Sequence, residues 1–201
     1  MGFTRAQLDS FRGKTLPDLL GPDTRLLFVG INPGLRAVAV QADFGSRGNR
    51  FYPALYRAGI VDRVIDASEG FENDDLEQLK CRHVGITKLV AAATARADEL
   101  SADQLIRGAG ALAERVARIR PRVAAMLGIT AYRVAFGMPK ATTGLQPNEL
   151  AGVPLWVVPN PSGLNAHATI DTLGRAYREV AIAAGIDVYD LTIPSARAST
   201  E

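Results

Sequence analysis

Two asparagines follow apolar, strand-like segments in nearly the same sequence context. Residues 26–34 read LLFVGINPG and residues 155–163 read LWVVPNPSG, so Asn32 and Asn160 each stand just beyond an apolar run. The carboxyl ends of parallel strands open on one edge of a sheet, where ligands bind, so both side chains are expected to face a common cleft. An amide carries a donor and an acceptor; it can orient a water molecule but cannot take its proton.

Turn-forming residues accompany the first asparagine. Pro33 fixes φ and Gly34 permits positive φ, so the chain from Gly30 onward can turn sharply and press its backbone N–H groups against a ligand. The same residue types are favoured in ordinary strand-end turns, and that alternative stays open on this motif alone.

Leu164 follows the second asparagine in a loop of small residues. A leucine at such a position is suited to enter a base stack when a nucleotide is extruded from a duplex. It is equally consistent with a hydrophobic staple that fixes the start of the last helix on the core. The loop sequence by itself does not decide between a wedge and a staple.

Composition limits the classes of function. The chain has 201 residues, 47% hydrophobic and 22% charged, with one cysteine and two histidines. One cysteine and two histidines supply neither an iron–sulfur cluster nor a ready zinc site, so we expect no metal and no cofactor. The net charge of +2 means that any nucleic-acid surface must be local. No apolar run reaches the roughly 20 residues of a membrane span, and the first residues lack a signal-peptide core, so we expect a cytoplasmic protein, nucleoid-associated in a bacterium. A protein of this size is expected to act as a monomer.

The pattern of periodicity and turn signals alternates between strands and helices, which predicts an α/β fold. We expect residues 1–190 to form a single domain and residues 191–201 to form a flexible tail. Residues 35–48 read as a long irregular segment and residues 137–152 as a turn region. The predicted strands are 25–30, 84–90, 122–128 and 153–159; the predicted helices are 4–12, 49–59, 101–120, 129–136 and 169–184, with short helical pieces over 62–80.

Two further segments lie between the asparagine motifs, NRF at 49–51 and GITKLV at 85–90. With the two strand ends, they closely resemble the mismatch-specific uracil-DNA glycosylase family, which includes the thymine-DNA glycosylases. The resemblance covers about residues 26–180 and extends to the order, spacing and wording of the motifs. It implies a three-layer α/β/α sandwich on a short, mainly parallel sheet. It also implies a monofunctional DNA glycosylase of base excision repair, which hydrolyses the N-glycosidic bond of uracil in duplex DNA and favours U:G mismatches.

The resemblance also implies roles for individual residues. The first asparagine holds the hydrolytic water, the residue before it walls the pocket, and an aromatic residue in the following loop stacks on the flipped base. The second asparagine stands near the base and its glycosidic bond, and the loop after it penetrates the duplex. The first asparagine is Asn32, the residue before it is Ile31, the aromatic residue is Phe44 and the second asparagine is Asn160. Gly30 lies beside the pocket, and the loop contains Ser162, Gly163, Leu164 and Asn165.

The chain departs from the family pattern after the wedge leucine. The family commonly carries a Ser-Arg pair there, whereas this chain reads NAH over residues 165–167. The preference for the opposite base is therefore not fixed by the resemblance. His167 is a candidate replacement for the arginine at lower pH, although a histidine near a helix start is as often a capping or solvent-facing residue.

A neutral asparagine leaves the reaction without a general base. Asp98 is the candidate for that role, since it follows the strand at 84–90 and can lie on the same edge of the sheet. The competing interpretation is an ordinary solvated carboxylate ahead of the helix that Ser101 caps. Asp43, beside the predicted stacking residue, is a weaker rival with the same alternative.

Basic residues interleaved with aromatic ones indicate a surface that grips a strand and stacks a base. The predicted phosphate contacts are Lys88, Arg36, Arg47 and Arg50. Lys88 is also predicted to bind substrate. Each of these residues is also consistent with an ordinary solvated cation.

Two other classes of function remain. A non-catalytic protein that binds DNA lesions would keep the same pocket but release no base. A nucleotide-binding α/β enzyme unrelated to DNA is the least favoured, because the chain has neither G-x-G-x-x-G after its first strand nor a G-x-x-x-x-G-K-[ST] loop. The predicted partner is double-stranded DNA that contains uracil or mismatches.

Overall fold

The computed structural model describes residues 2–165 and 168–190. The predicted tail at 191–201 and the candidate DNA contact His167 lie outside these residues. Among the helices of the described part, none is long and apolar enough to cross a bilayer.

A five-stranded sheet forms the centre of the molecule. The strands are β1 (Leu26–Gly30), β2 (Val84–Lys88), β3 (Val123–Leu127), β4 (Gly144–Leu145) and β5 (Leu155–Val158). Their order in the sheet is β2-β1-β3-β5-β4, in which the first four strands are parallel and β4 is antiparallel to β5. The inner strands read as near-continuous apolar runs because helices cover both faces of the sheet.

Seven α-helices surround the sheet in the described residues. Capping boxes at Ser101 and Thr169 begin the two longest helices, as their sequences predict. The helices are α1 (Arg5–Asp9), α2 (Leu35–Ala39), α3 (Phe51–Arg57), α4 (Asn73–Cys81), α5 (Ala102–Ile119), α6 (Ile129–Ala135) and α7 (Ile170–Ala183), with a short 3₁₀ helix at Ala97–Glu99.

Each face of the sheet has its own hydrophobic core. Leu26 and Phe28 of β1 belong to a core shared with α3 and α7, whereas Leu27 and Val29 belong to a core shared with α5 and α6. This alternation is the two-residue period of a strand. The structure therefore confirms the predicted three-layer α/β/α sandwich.

Three elements differ from the sequence prediction. Residues 35–48 are not wholly irregular, because α2 lies at their start and buries Leu35 and Val38 in a small third core. The turn region at 137–152 contains the edge strand β4, and only α4 forms within 62–80. Helix α2 and strand β4 have five and two residues, too short for a periodic pattern to reveal them.

Helix α5 allows the packing of one core to be tested with a matched pair of residues. Leu112 is fully buried, whereas Ile106 on the same helix is 52% exposed. We expect Leu112→Ala to lower the free energy of unfolding by about 2–5 kcal/mol and Ile106→Ala to lower it by about 0.5 kcal/mol or less. Urea unfolding of both variants measures the difference, and equal losses would show that α5 is not packed as described.

Candidate functional site

A cavity of about 840 Å³ opens at the carboxyl edge of the sheet. Its wall includes the residues that directly follow β1, β3 and β5, and Asn32 and Asn160 are both among them. The repeated strand-end pattern predicts this convergence. The volume lies within the range of about 300–1,000 Å³ that is typical of small-molecule sites.

Gly128 lies between the two sides of the cavity. It follows β3, the strand between β1 and β5, and has a φ of +124°, a backbone conformation that favours glycine. A Cβ at this position would lie 3.5 Å from Asn160 Nδ2 and 3.5 Å from Ile31 Cδ1, which is ordinary van der Waals contact. The backbone conformation, and not a lack of space, therefore favours glycine at the end of β3. Sequence analysis did not identify this residue, whose only signal is its place after a buried strand.

Hydrogen bonds fix the orientation of the Asn32 amide. Nδ2 donates to the backbone oxygen of Ala92 at 3.0 Å and to Thr94 Oγ1 at 2.8 Å. The hydroxyl of Thr94 in turn donates to the backbone oxygen of Arg96 at 2.7 Å, so Oγ1 acts as the acceptor for Asn32. Because a carbonyl oxygen can only accept, the atom that faces Ala92 must be the nitrogen. Oδ1 is then the atom of this amide that is left to accept from water.

The amide of Asn160 has the opposite orientation to that of Asn32, because, among the described residues, its oxygen and not its nitrogen is engaged by the protein. Its Oδ1 accepts a hydrogen bond from the backbone N–H of Ser162 at 2.9 Å. Because a backbone N–H can only donate, the atom that faces Ser162 must be the oxygen. Nδ2, which lies beside Gly128, is left to donate to a ligand. The cavity thus carries one fixed acceptor and one fixed donor.

Phe44 contributes an aromatic ring to the cavity wall. One face of the ring stacks on Phe51, with ring centroids 4.0 Å apart and planes inclined by 25°. Its backbone has a φ of +56°, a conformation that few residues other than glycine adopt and that is common at functional sites. The tip of the ring lies 3.5 Å from where a Cβ on Gly30 would stand, so a longer side chain at Gly30 would collide with it.

Lys88 and Asp43 form a buried ion pair on the wall of the cavity. Lys88 Nζ lies 3.3 Å from the carboxylate of Asp43 and 3.5 Å from that of Asp18, and it donates to the backbone oxygen of Pro17 at 2.9 Å. Burial raises the pKa of Asp43 to about 6, although the charge of Lys88 opposes the shift. Lys88 is only 4% exposed, so it is an interior cation and not the surface phosphate contact that the sequence predicted.

Asp98 lies at the rim of the cavity, on the 3₁₀ helix. Its carboxylate makes a two-point ion pair with Arg96, with nitrogen–oxygen distances of 2.6 and 3.1 Å. The side chain is 63% exposed. The structure therefore brings the candidate general base to the same cavity as Asn32, but in a solvated and paired state.

The predicted phosphate contacts differ in how they are engaged. Arg47 is 74% exposed and pairs with Glu69, so it remains available to DNA. Arg36 is mostly buried and bonds to Glu69 and to the backbone oxygen of Ser68. The guanidinium of Arg50 bonds to the backbone oxygens of Pro161, Ser162, Asn165 and Ala168, so this arginine is not the free phosphate contact that its sequence position indicated.

The loop after Asn160 projects from the molecule at the mouth of the cavity. Leu164 is 78% exposed, which excludes the hydrophobic-staple alternative. Ser162, Gly163 and Asn165 line the cavity beside it. The side chain of Asn165 donates to the backbone oxygen of Asn160 at 3.0 Å, which ties the loop to the site.

The buried carboxyl of Asp43 makes stability depend on pH in a predictable direction. Its pKa in the folded protein, about 6, lies above the ordinary value of 3.8, so the folded state binds this proton more tightly than the unfolded state. We expect this group's contribution to the free energy of unfolding to fall as the pH rises from about 4 to 6, by on the order of 2–3 kcal/mol.

Asp43→Asn should remove this dependence. As the pH rises over the same interval, the free energy of unfolding should fall in the parent protein but not in the variant, so the difference between them should shift in favour of the variant. Urea unfolding at several pH values measures the effect. The control is Asp103→Asn, which alters an exposed carboxylate at the start of α5. Parallel pH profiles for the parent protein and Asp43→Asn would contradict the shifted pKa.

Comparison with known proteins identifies the family of the chain and a protein with a similar fold. The model of the uracil DNA glycosylase superfamily matches residues 17–183. A solution NMR structure of a candidate uracil DNA glycosylase from Methanosarcina acetivorans has a TM-score of 0.55 and 18% identity, over 85% of this chain and 98% of that chain. At this identity, the likeness shows the shared fold alone. Because the family model matches most of the chain, the protein belongs to the uracil DNA glycosylase superfamily.

Proposed function

We propose that this protein is a monofunctional DNA glycosylase of base excision repair that hydrolyses the N-glycosidic bond of uracil in duplex DNA and favours U:G mismatches. Membership of the superfamily supports a uracil DNA glycosylase-like activity. The preference for mismatches rests on the resemblance of residues 30–34 and 160–164 to the mismatch-specific branch.

The opposite orientation of two amides in one cavity is the observation that carries this proposal. Loss of a base needs a nucleophilic water at C1′ and stabilisation of the negative charge that develops on the leaving base. The acceptor Oδ1 of Asn32 suits the water, and the donor Nδ2 of Asn160 suits a carbonyl oxygen of the base. One cavity thus holds a group for each of the two requirements.

The base must leave the duplex before it can reach this cavity. Leu164, exposed on the loop at the cavity mouth, is placed to fill the space that the base leaves. Phe44, braced by Phe51, offers its ring as a stacking surface for the extruded pyrimidine. Arg47, exposed and paired at the surface with Glu69, is a candidate contact for a phosphate nearby.

The bond changes follow from these positions. The bond between C1′ and N1 of uracil breaks, and its electron pair leaves with the base, so that the sugar passes through an oxocarbenium-like state. The oxygen of the water held by Asn32 then bonds to C1′, and the water loses a proton. No lysine nucleophile takes part, so no lyase step is expected. An amide cannot accept the proton, and a general base usually contributes roughly 10²–10⁴-fold to the rate.

Asp98 remains our proposal for the proton acceptor. It shares the cavity with Asn32, and the two are connected by a chain of hydrogen bonds from Asn32 through Thr94 to the backbone of Arg96, whose guanidinium pairs with Asp98. Its exposure and its ion pair favour the competing interpretation of a structural carboxylate. A slow enzyme that relies on stabilisation of the leaving base is expected if Asp98 takes no part.

Removal of the water-holding amide should abolish most of the activity. We expect Asn32→Ala to slow single-turnover release of uracil from a U:G duplex by about 100-fold or more, because the water is no longer aligned with C1′. Asn73→Ala, on the exposed surface of α4, is the matched control. Duplexes with U:G, T:G and U:A pairs, cleaved by alkali at abasic sites, give the rates and the substrate preference.

Failure of the parent protein to release uracil from any of these duplexes, while it still binds them tightly, would favour the non-catalytic lesion-binding protein. An unaltered rate in Asn32→Ala, with the unfolding curve unchanged, would contradict the role of this amide.

A second substitution tests the proton acceptor. If Asp98 takes the proton of the attacking water, Asp98→Asn should lower the single-turnover rate by roughly 10²-fold or more. Asp103→Asn serves again as the control carboxylate. Full activity in Asp98→Asn would dismiss the general-base role and leave Asp98 as the partner of Arg96.

A further inference from the structure

The guanidinium of Arg50 is enclosed by the backbone of the loop that carries Leu164. It donates to the backbone oxygen of Asn165 at 2.8 Å and to that of Pro161 at 3.4 Å, and it also bonds to those of Ser162 and Ala168. The backbone N–H of Arg50 donates to the oxygen of Pro161 at 3.0 Å. Three of these acceptors lie in the loop at 161–165, and Ala168 lies two residues before α7.

Arginine suits this position for a geometric reason. Its planar guanidinium presents five N–H donors in a rigid fork, whereas a lysine ammonium is a compact point charge with three donors. A loop whose carbonyl oxygens converge on one centre therefore needs the fork to hold it. Within the described residues, none of the ion pairs includes Arg50, so its donors serve carbonyl groups and not carboxylates.

Close backbone contact supports the same loop from a second side. A Cβ on Gly163 would lie 3.2 Å from the backbone oxygen of Gly48, which precedes Arg50 by two residues. The segment 48–50 thus forms a platform beneath the tip of the loop. Any larger residue at Gly163 would push the tip away from this platform.

The loop is also tied to the floor of the cavity. Ser162 donates its backbone N–H to Asn160 Oδ1, and Asn165 donates its side-chain N–H to the backbone oxygen of Asn160. The position of the loop therefore determines both where Leu164 points and how the Asn160 amide is oriented.

We propose that Arg50 is a positioning residue, which holds the loop at 161–165 ready to wedge into a duplex and does not itself bind a DNA phosphate. This inference rests on the proposed function, because the wedge has a role only if a base is extruded. It assigns to Arg50 the pre-organisation of the loop before DNA binds, which reduces the ordering that binding would otherwise require.

The test compares Arg50→Lys with Arg47→Ala, since the guanidinium of Arg47 is exposed and makes a surface ion pair with Glu69 that a phosphate could replace. Three quantities are measured: the salt dependence of binding to a U:G duplex, base extrusion reported by 2-aminopurine fluorescence beside the uracil, and single-turnover uracil release at saturating protein. Arg47→Ala should reduce the slope of log Kobs against log salt by about one and leave extrusion intact.

Arg50→Lys should leave the salt slope unchanged but lower base extrusion and the single-turnover rate by roughly tenfold or more. Leu164→Ala should cause a similar loss. The double variant of Arg50→Lys and Leu164→Ala should be no slower than the slower single variant, because Arg50 acts through the wedge. Arg50→Gln, which removes the charge, should also leave the salt slope unchanged. A slope reduced by about one in this variant, with normal extrusion, would identify Arg50 as a phosphate contact, and additive losses in the double variant would also overturn the proposal.

Hydrogen exchange in the free protein keeps this inference separate from the proposed activity. Amides of residues 162–165 should exchange faster in Arg50→Lys than in the parent protein, while amides of β1 and β3 keep their protection. This readout stands even if no duplex is cleaved, in which case the proposed function alone has failed. Unchanged exchange of the loop would overturn the role of Arg50, whatever the activity.

Discussion

Two side-chain amides with fixed and opposite orientations are the feature on which this account depends. Asn32 turns its nitrogen to Ala92 and Thr94, and Asn160 turns its oxygen to the backbone of Ser162. Each orientation is imposed by a partner that can only donate or only accept. Parallel pairing brings both amides to one edge of the sheet, and Gly128, at the end of the strand between them, lies beside Asn160. The acceptor and the donor that a hydrolytic reaction needs are therefore in place before a ligand arrives.

Charge is placed around this neutral pair and not within it. The buried pair of Lys88 and Asp43 lies on one wall, where burial opposes ionisation of the carboxyl. Asp98 lies at the solvated rim with its own cation, Arg96. Such an arrangement favours a mechanism in which the enzyme orients water and stabilises the leaving base, and not a mechanism that depends on a strong general base. The loop at 161–165 adds a separate requirement, because the proposed wedge, Leu164, must stay exposed while the backbone of the loop remains ordered.

The apolar runs and strand-end turns are local signals, and they were sufficient to predict an alternating α/β fold, its four main strands and the shared cleft. The three-layer sandwich on a mainly parallel sheet was implied by the family resemblance. It did not reveal how each cation is used. Lys88, Arg47 and Arg50 all read as candidate phosphate contacts. Lys88 is buried, Arg47 is exposed and pairs with Glu69, and Arg50 binds the backbone of a loop, and only tertiary packing distinguishes them. Gly128 was missed because its place beside Asn160 depends on strands distant in sequence. Helix α2 and strand β4 were missed because short elements carry little periodicity.

Side-chain amide NMR tests the central claim most directly. The Nδ2 protons of Asn32 and Asn160 can be followed while a duplex with 2′-fluorinated deoxyuridine, which resists hydrolysis, is added to labelled protein. The account predicts that the Asn160 resonances shift on binding, as its N–H meets the base, and that the Asn32 resonances keep the chemical shifts of protons bonded to Ala92 and Thr94. Large shifts at Asn32 with none at Asn160 would contradict the assigned orientations and the chemistry that depends on them.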